Sequence, residues 1–415
     1  MTEQATANSH TSQPGAAAGR ASWPAVAFAV FVSAWGGNEF TPLLVMYRQS
    51  GEFSPVAVDA LLFLYVLGIV PALLIGGPLS DRFGRRPLML PAPVCAAIGS
   101  VLLAFGAHSM ALLSVGRLFS GVALGLSMAV GGSWITELSI GNGDRPAVGA
   151  RRGAMSLTAG FGIGAGVAGA LAQWAPFPHI LAYSVNIVLA VSAVMLILHV
   201  PETRERQQNP GRLVDDLTIP SARHRRFLLV VLPVAPWVFG ACASAYAVIP
   251  ALMSARTAGA PIAFAALCCV VGLAAGFGIQ SVGRRIDNPG GVRGVVSALV
   301  VLAMGMLLAA LAAHVLTVWL SLVAAAVLGC GYGMAMIAGL LEVQRIAGER
   351  DLAGLTAVFY GVTYLGFAVP AILAWLSQSF GSITYPEMFG FGVAAALAGL
   401  VVVLVGHRVQ PAVDR

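Results

Sequence analysis

Apolar runs of about 20 residues, the length that crosses a bilayer as a helix, recur along the whole chain. They cover 24–46, 56–76, 87–107, 111–137, 154–174, 180–200, 227–250, 261–281, 294–313, 315–340, 354–377 and 386–407, with short polar joints between them. Only helices and closed barrels satisfy their backbone groups in hydrocarbon, and runs of this length fit helices. The pattern therefore predicts an all-α integral membrane protein with 12 transmembrane helices. Composition agrees: 58% of the 415 residues are hydrophobic and 10% are charged. A soluble domain carries about 25% charged residues, so this chain has too few polar groups to cover its surface against water. The joints around residues 175–179 and His314 are the weakest marked.

Arginine placement orients the spans. The chain has no lysine, and its 23 basic residues are all arginine. Twenty of them fall in the segments on the N-terminal side of the membrane, in clusters such as Arg82, Arg85 and Arg86, or Arg223, Arg225 and Arg226. The other side holds Arg48 and Arg256, and Arg117 lies within a span. By the positive-inside rule both termini are cytoplasmic and the span count is even, which fits a multi-pass protein of the cell (inner) membrane. The net charge of +6 then reflects topology, and no nucleic-acid partner is expected. Residues 1–22 are polar and lack the pattern of a signal peptide, so they are expected to form a disordered cytoplasmic tail, and residues 409–415 a cytoplasmic tail. The five cysteines lie in apolar stretches without metal-ligand company, and no cofactor or metal is expected. Phosphate-binding loops, zinc spacings and nucleophile elbows are absent, which argues against an ATP-driven pump and against an enzyme.

The longest polar joint, 201–226, divides the spans into six-helix bundles at 23–200 and 227–408. The halves echo each other: GGPLSDRFGRR (76–86) aligns with AGFGIQSVGRR (275–285), both between the second and third span of their half. The second copy is expected to keep the turn and its last two arginines while Asp81 becomes Gln280. Near the same offset, Trp174 aligns with Trp375. Two six-helix pseudo-repeats point to a secondary transporter with its site between the halves near mid-membrane. A monomer suffices for that, with a small molecule, protons and the bilayer as partners.

GPLSDRFGRRP (77–87) resembles the signature loop between spans 2 and 3 of the major facilitator superfamily. PETR (201–204) is similar to that family's proton-coupled drug and metabolite exporters, and GRLFSG (116–121) to its intramembrane arginine motif, with Arg117 and Gly121 in place. The resemblance implies an alternating-access transporter of that fold. It also implies that Gly77, Asp81, Arg82, Gly84, Arg85 and Arg86 form an inner latch joining the halves when the cavity faces outward. Gly77 would admit close helix approach and Gly84 a tight turn. The bland alternative is an arginine cluster that only fixes orientation.

Charge at membrane depth costs roughly 2.5–3.5 kcal/mol per residue and is functional by default. Glu39 lies deep in the first span, sharing a face with Trp35 and Leu43. Gly36, Gly37 and Pro42 loosen the helix around it. Desolvation favours a neutral carboxyl, which suits a proton carrier, with Asn38 and Trp35 expected to line the substrate cavity. The other reading is a structural acid held by Arg117 or a backbone amide. Arg117 either pairs with Glu39 or snorkels to the outer interface. Asp59 is expected to be solvated, and Glu137 and Glu342 to pair with loop arginines such as Arg151 or Arg350. Span 5, AGFGIGAGVAGALAQ (159–173), carries small-residue faces and resembles the family's antiporter motif without its Gly-Pro. Trp237, Tyr246, Tyr332, Tyr360 and Tyr364 are candidate cavity aromatics. Export of a drug-like molecule or metabolite by proton antiport is the leading expectation, with proton-coupled uptake of a nutrient as the alternative.

Overall fold

The computed structural model describes residues 22–207, 218–288, 290–348 and 351–408. The expected tails at 1–21 and 409–415 and the middle of the central loop lie outside the described residues. The first apolar run forms two helices, α1 (Trp23–Asn38) and α2 (Phe40–Ser50), meeting at Glu39. Eleven longer helices follow, each long and apolar enough to cross a membrane. They are α3 (Pro55–Phe83), α4 (Arg85–Phe105), α5 (Met110–Gly141), α6 (Pro146–Trp174) and α7 (Pro178–Ile197), then α8 (Phe227–Arg256), α9 (Pro261–Ile286), α10 (Arg293–Val315), α11 (Val318–Ile346), α12 (Leu352–Ser379) and α13 (Tyr385–His407).

Local sequence explains the ends. Proline opens α3, α6, α7 and α9, where its missing N–H costs nothing. Gly84, at φ +101°, ends α3 and permits the sharp turn into α4, as expected. Its counterpart Gly283 does not turn, because α9 runs on to Ile286. There the glycine serves packing, since a Cβ would meet Ile337 Cγ2 at 2.8 Å. The two weak joints close through Phe177 and Leu316, both left-handed.

The helices up to α7 pack chiefly on one another, as do those from α8 onward. Small residues set the closest crossings: a Cβ on Gly121 of α5 would meet Gly68 Cα of α3 at 3.0 Å, and one on Gly329 of α11 would meet Gly272 Cα of α9 at 2.8 Å. Without a hydrophobic drive between helices in lipid, such backbone approach supplies the dispersion contact that holds them. The two groups meet along seams of α3 with α12, α6 with α9, and α2 with α9. Outward faces are apolar, with Trp319 80% and Phe391 68% exposed, the surface that lipid covers. The protein is thus an all-helical, multi-pass membrane protein.

Candidate functional site

The site is built around the joint between α1 and α2. Pro42 cannot donate to the turn before it, which loosens the helix there, and Arg117 Nη1 of α5 donates to the carbonyl of Gly37 at 3.3 Å. Arg117 Nε donates to Leu61 O of α3 at 3.2 Å. The Arg117 guanidinium lies over the rings of Tyr65 (4.3 Å) and Phe40 (4.7 Å). Arg117 is fully buried and stays at depth, so it does not snorkel. Nor does it pair with Glu39: no carboxylate of the described residues stands within ion-pair distance of it.

Glu39 points the other way, into the first helix group. Its Oε1 accepts from Ser100 Oγ of α4 at 2.8 Å, and Ser100 Oγ accepts from Asn186 Nδ2 of α7 at 2.9 Å. The Trp35 indole N–H also bears on the Glu39 carboxyl, at longer range than a full hydrogen bond, and Asn186 Oδ1 is buried without a partner. Gly36 gives the Asn186 amide its room, since a Cβ there would meet Asn186 Cγ at 3.4 Å. Trp35, expected to line the substrate cavity, is not in the lining of the central pocket or of the large cavity described below. It packs against α6, where its Cα sits 2.8 Å from a Cβ built on Gly164.

Asn38, one residue earlier, faces the seam. Its Nδ2 donates to Phe161 O of α6 at 2.9 Å and to Cys269 Sγ of α9 at 3.3 Å, while its Oδ1 accepts from Thr41 Oγ1 at 2.7 Å. It lines a small central pocket between the groups, about 20 Å³, together with Thr41, Tyr65, Arg117, Tyr246, Tyr332 and Tyr364. A π-helical turn at Ser244–Val248 carries Tyr246, and a 3₁₀ turn at Leu365–Ala368 carries Phe367. Phe239 stacks on Tyr364 and Phe367 at 4.4 and 4.9 Å. Tyr360 lines a different cavity, and Trp237 packs partly buried against the core.

At the arginine-rich end a cavity of about 1030 Å³ opens between the groups, lined by Gly77, Asp81, Arg82, Arg204 and segments of α5, α6 and α12. Gly77 faces open space there, so the close approach expected of it is not made in this structure. Arg85 is the hub of the motif. It pairs with Glu137 at 2.7 Å and with Asp81 at 2.9 Å, and donates to Ser80 Oγ at 2.9 Å. Glu137 thus meets Arg85 rather than Arg151. Arg82 is buried, and its carbonyl accepts from Gln207 N at 3.0 Å. Arg86 donates to the carbonyl of Leu198.

PETR closes over this loop. Glu202 caps α4 by accepting from the backbone N–H groups of Arg85 and Arg86 at 2.8 and 2.9 Å, which also sets a negative charge at the helix N-terminus. Thr203 Oγ1 donates to Glu137 Oε2 at 2.5 Å, and Arg204 stands 3.8 Å from Asp81. In the second group Glu342 pairs with Arg226 and, at 2.6 Å, with Arg345. Arg345 in turn pairs with Asp287; Arg350 lies outside the described residues.

The opposite end is shut. Gln173 Oε1 of α6 accepts from the N–H groups of Ile262 (2.9 Å) and Ala263 (3.2 Å) at the start of α9, and its Nε2 donates to Gly259 O at 3.1 Å. Asp59 is buried and paired with Arg48, not solvated, and Tyr385 of α13 stands beside the pair. Ser100, Asn186 and Tyr65 are not singled out by the sequence reading, and Glu202 enters it only as part of PETR. The first two carried a signal, as polar side chains deep in apolar runs.

The family model of the Major Facilitator Superfamily matches residues 26–370. The Bacillibactin exporter of Bacillus subtilis (strain 168) is 25% identical over 118 residues, 28% of this chain and 29% of that protein. The Glucose transporter GlcP of Staphylococcus epidermidis (strain ATCC 12228 / FDA PCI 1200) is 35% identical over 79 residues, 17% of this chain and 18% of that protein. The matched segments therefore span less than a third of either relative. Among solved structures, a POT family transporter in complex with 5-aminolevulinic acid superimposes with a TM-score of 0.74 at 13% identity, over 93% of this chain and 96% of that one. The nucleoside transporter NupG gives 0.67 at 13% identity, over 92% and 99%. At such identity the likeness is one of fold.

Proposed function

Because the chain belongs to the major facilitator superfamily and is a membrane transporter rather than an enzyme, we propose that it exports a small organic molecule in exchange for protons by alternating access. The observation that carries this reading is the α1–α2 joint. Its Glu39 is a fully buried carboxyl with one short hydrogen bond, from Ser100, and its neighbour Asn38 reaches the pocket between the helix groups. A carboxyl so placed can change protonation without leaving the bilayer core, and its neighbour can feel the change. The mostly aromatic pocket and the PETR segment favour export.

In this reading α1 and α2 are one broken span, so twelve spans form two six-helix pseudo-repeats. The arginine-rich end and both termini face the cytoplasm of the cell membrane, and a monomer is the working unit. The structure then corresponds to the inward-open state. Asp81, held within its own helix group by Arg85 and Arg204, is the released half of a latch that engages the second group when the cavity faces outward.

Uptake with protons moving in the same direction is the second reading. It is favoured by Arg117, since a buried cation without a carboxylate partner attracts an anion most strongly when Glu39 is neutral. The test is purified protein in liposomes with an internal pH-sensitive dye, an imposed gradient and a compound panel. Exchange predicts protons moving opposite to the compound, and Glu39→Gln should reduce proton-driven transport to background. Full gradient dependence in Glu39→Gln would reject the carrier role, and movement in the same direction would establish uptake.

A further inference from the structure

Three features of the central pocket define a ligand class, on the reading above that this pocket holds the transported molecule. Its walls are aromatic: Tyr65, Phe161, Tyr246 and Tyr332 line it together with the stack that Phe239 forms with Tyr364 and Phe367. Its one charged lining residue is Arg117, which has no carboxylate partner and rests on backbone carbonyls and ring faces. The hydroxyl of Tyr65, which also lines the pocket, is buried without a hydrogen-bond partner.

We infer that the pocket takes a flat aromatic molecule bearing an anionic or strongly accepting oxygen, of the arene carboxylate or phenolate class, and rejects organic cations. An aromatic ring gains from offset or edge-to-face packing on such a lining. A carboxylate or phenolate oxygen gives Arg117 the counter-charge it lacks and accepts from the Tyr65 hydroxyl, and both bonds are stronger for being charge-assisted in a dry site. A cation finds no carboxylate in the lining, because Glu39 is turned to Ser100. A sugar finds few free polar groups, because Asn38 and Thr41 are bonded to each other.

Entry is from the large cavity. Tyr364 OH donates to Met128 Sδ of α5 at 3.2 Å, and Met128 lines that cavity while Tyr364 lines the pocket. At about 20 Å³ the pocket has room for little more than one water, so this contact is the partition that must part and the pocket must widen before the ligand seats. An anion on Arg117 and a proton on Glu39 reinforce each other by charge. The competition that exchange requires must therefore come from the conformation of the α1–α2 joint.

The full chain in nanodiscs is assayed by equilibrium binding of radiolabelled salicylate, with excess cold salicylate, cyclohexanecarboxylate, benzylamine and glucose as competitors. Salicylate should bind saturably. Cyclohexanecarboxylate should compete at least about tenfold more weakly for want of stacking, and benzylamine and glucose should not compete. Arg117→Gln should abolish binding. Because that variant also removes the ties to Gly37 and Leu61, Tyr65→Phe decides. It keeps the ring under Arg117 and should weaken salicylate about tenfold. Displacement by benzylamine equal to that by salicylate, or parental affinity in Tyr65→Phe, overturns the inference. In liposomes, salicylate bound as expected without proton movement would remove proton exchange and leave the substrate class standing. Proton movement driven by another class, with no salicylate binding, would do the reverse.

Discussion

Asn38 and Glu39 are adjacent, yet they serve opposite sides of the same joint. A helical step of about 100° separates their directions. Glu39 is directed to Ser100 of α4, and Asn38 to Phe161 of α6 and Cys269 of α9. Any shift of the joint on protonation of Glu39 therefore moves a side chain that ties the two helix groups together. Asn38→Ala removes those ties, each worth about 1 kcal/mol, while leaving the Glu39 shell intact. It should keep substrate binding yet lose proton-driven accumulation, read as a falling ratio of coupled transport to passive exchange in liposomes. An unchanged ratio would mean that Asn38 only packs. The sequence signal at this scale was the isolated acid and its glycines. The direction of each side chain was invisible, because it depends on which neighbours α1 meets.

Among the elements, α4 shows how the chain positions its motif. The turn at Gly84 puts the first N–H groups of α4 at the Glu202 carboxylate, and a Cβ on Gly84 would meet Glu202 Oε2 at 2.7 Å. Glu202 lies more than a hundred residues further along, so this cap is a tertiary contact and no local pattern announces it. Glu202→Gln keeps the shape and removes the charge. It should cost about 1 kcal/mol of stability, seen as a lower midpoint in detergent thermal unfolding. The weak joints teach the complementary lesson. Phe177 and Leu316 hold left-handed turns with neither glycine nor asparagine at the position that favours them, although Pro176 and Pro178 flank Phe177. Packing of the flanking helices imposes the conformation.

The molecule as a whole is asymmetric from end to end. A cavity of about 1030 Å³ opens at the arginine-rich end, while Gln173 and the Arg48–Asp59 pair close the other. Asp81→Asn should trap the transporter on the open side if the latch engages only in the opposite state. A cysteine at Gly77, which lines the open cavity, would then react with a maleimide from the arginine-rich side at a constant rate, whatever substrate is added. In the parent, substrate should slow it. Parental transport in Asp81→Asn with normal expression would remove the latch. The predicted echo between halves is not kept at either glycine: Gly276 packs against α11 where Gly77 faces open space, and the helix of Gly283 continues where α3 stops.

By itself the sequence determined what water and lipid demand: helices, their approximate ends, the sidedness of arginine, and the rarity of buried charge. Those follow from solvation, which acts on each segment separately. Tertiary structure alone decided which charges meet. Arg117 found carbonyls and rings rather than Glu39, Asp59 found Arg48, and Glu137 found Arg85. Pairing depends on angles between helices distant in sequence, and in a dry interior each polar group takes whichever partner that packing brings within reach.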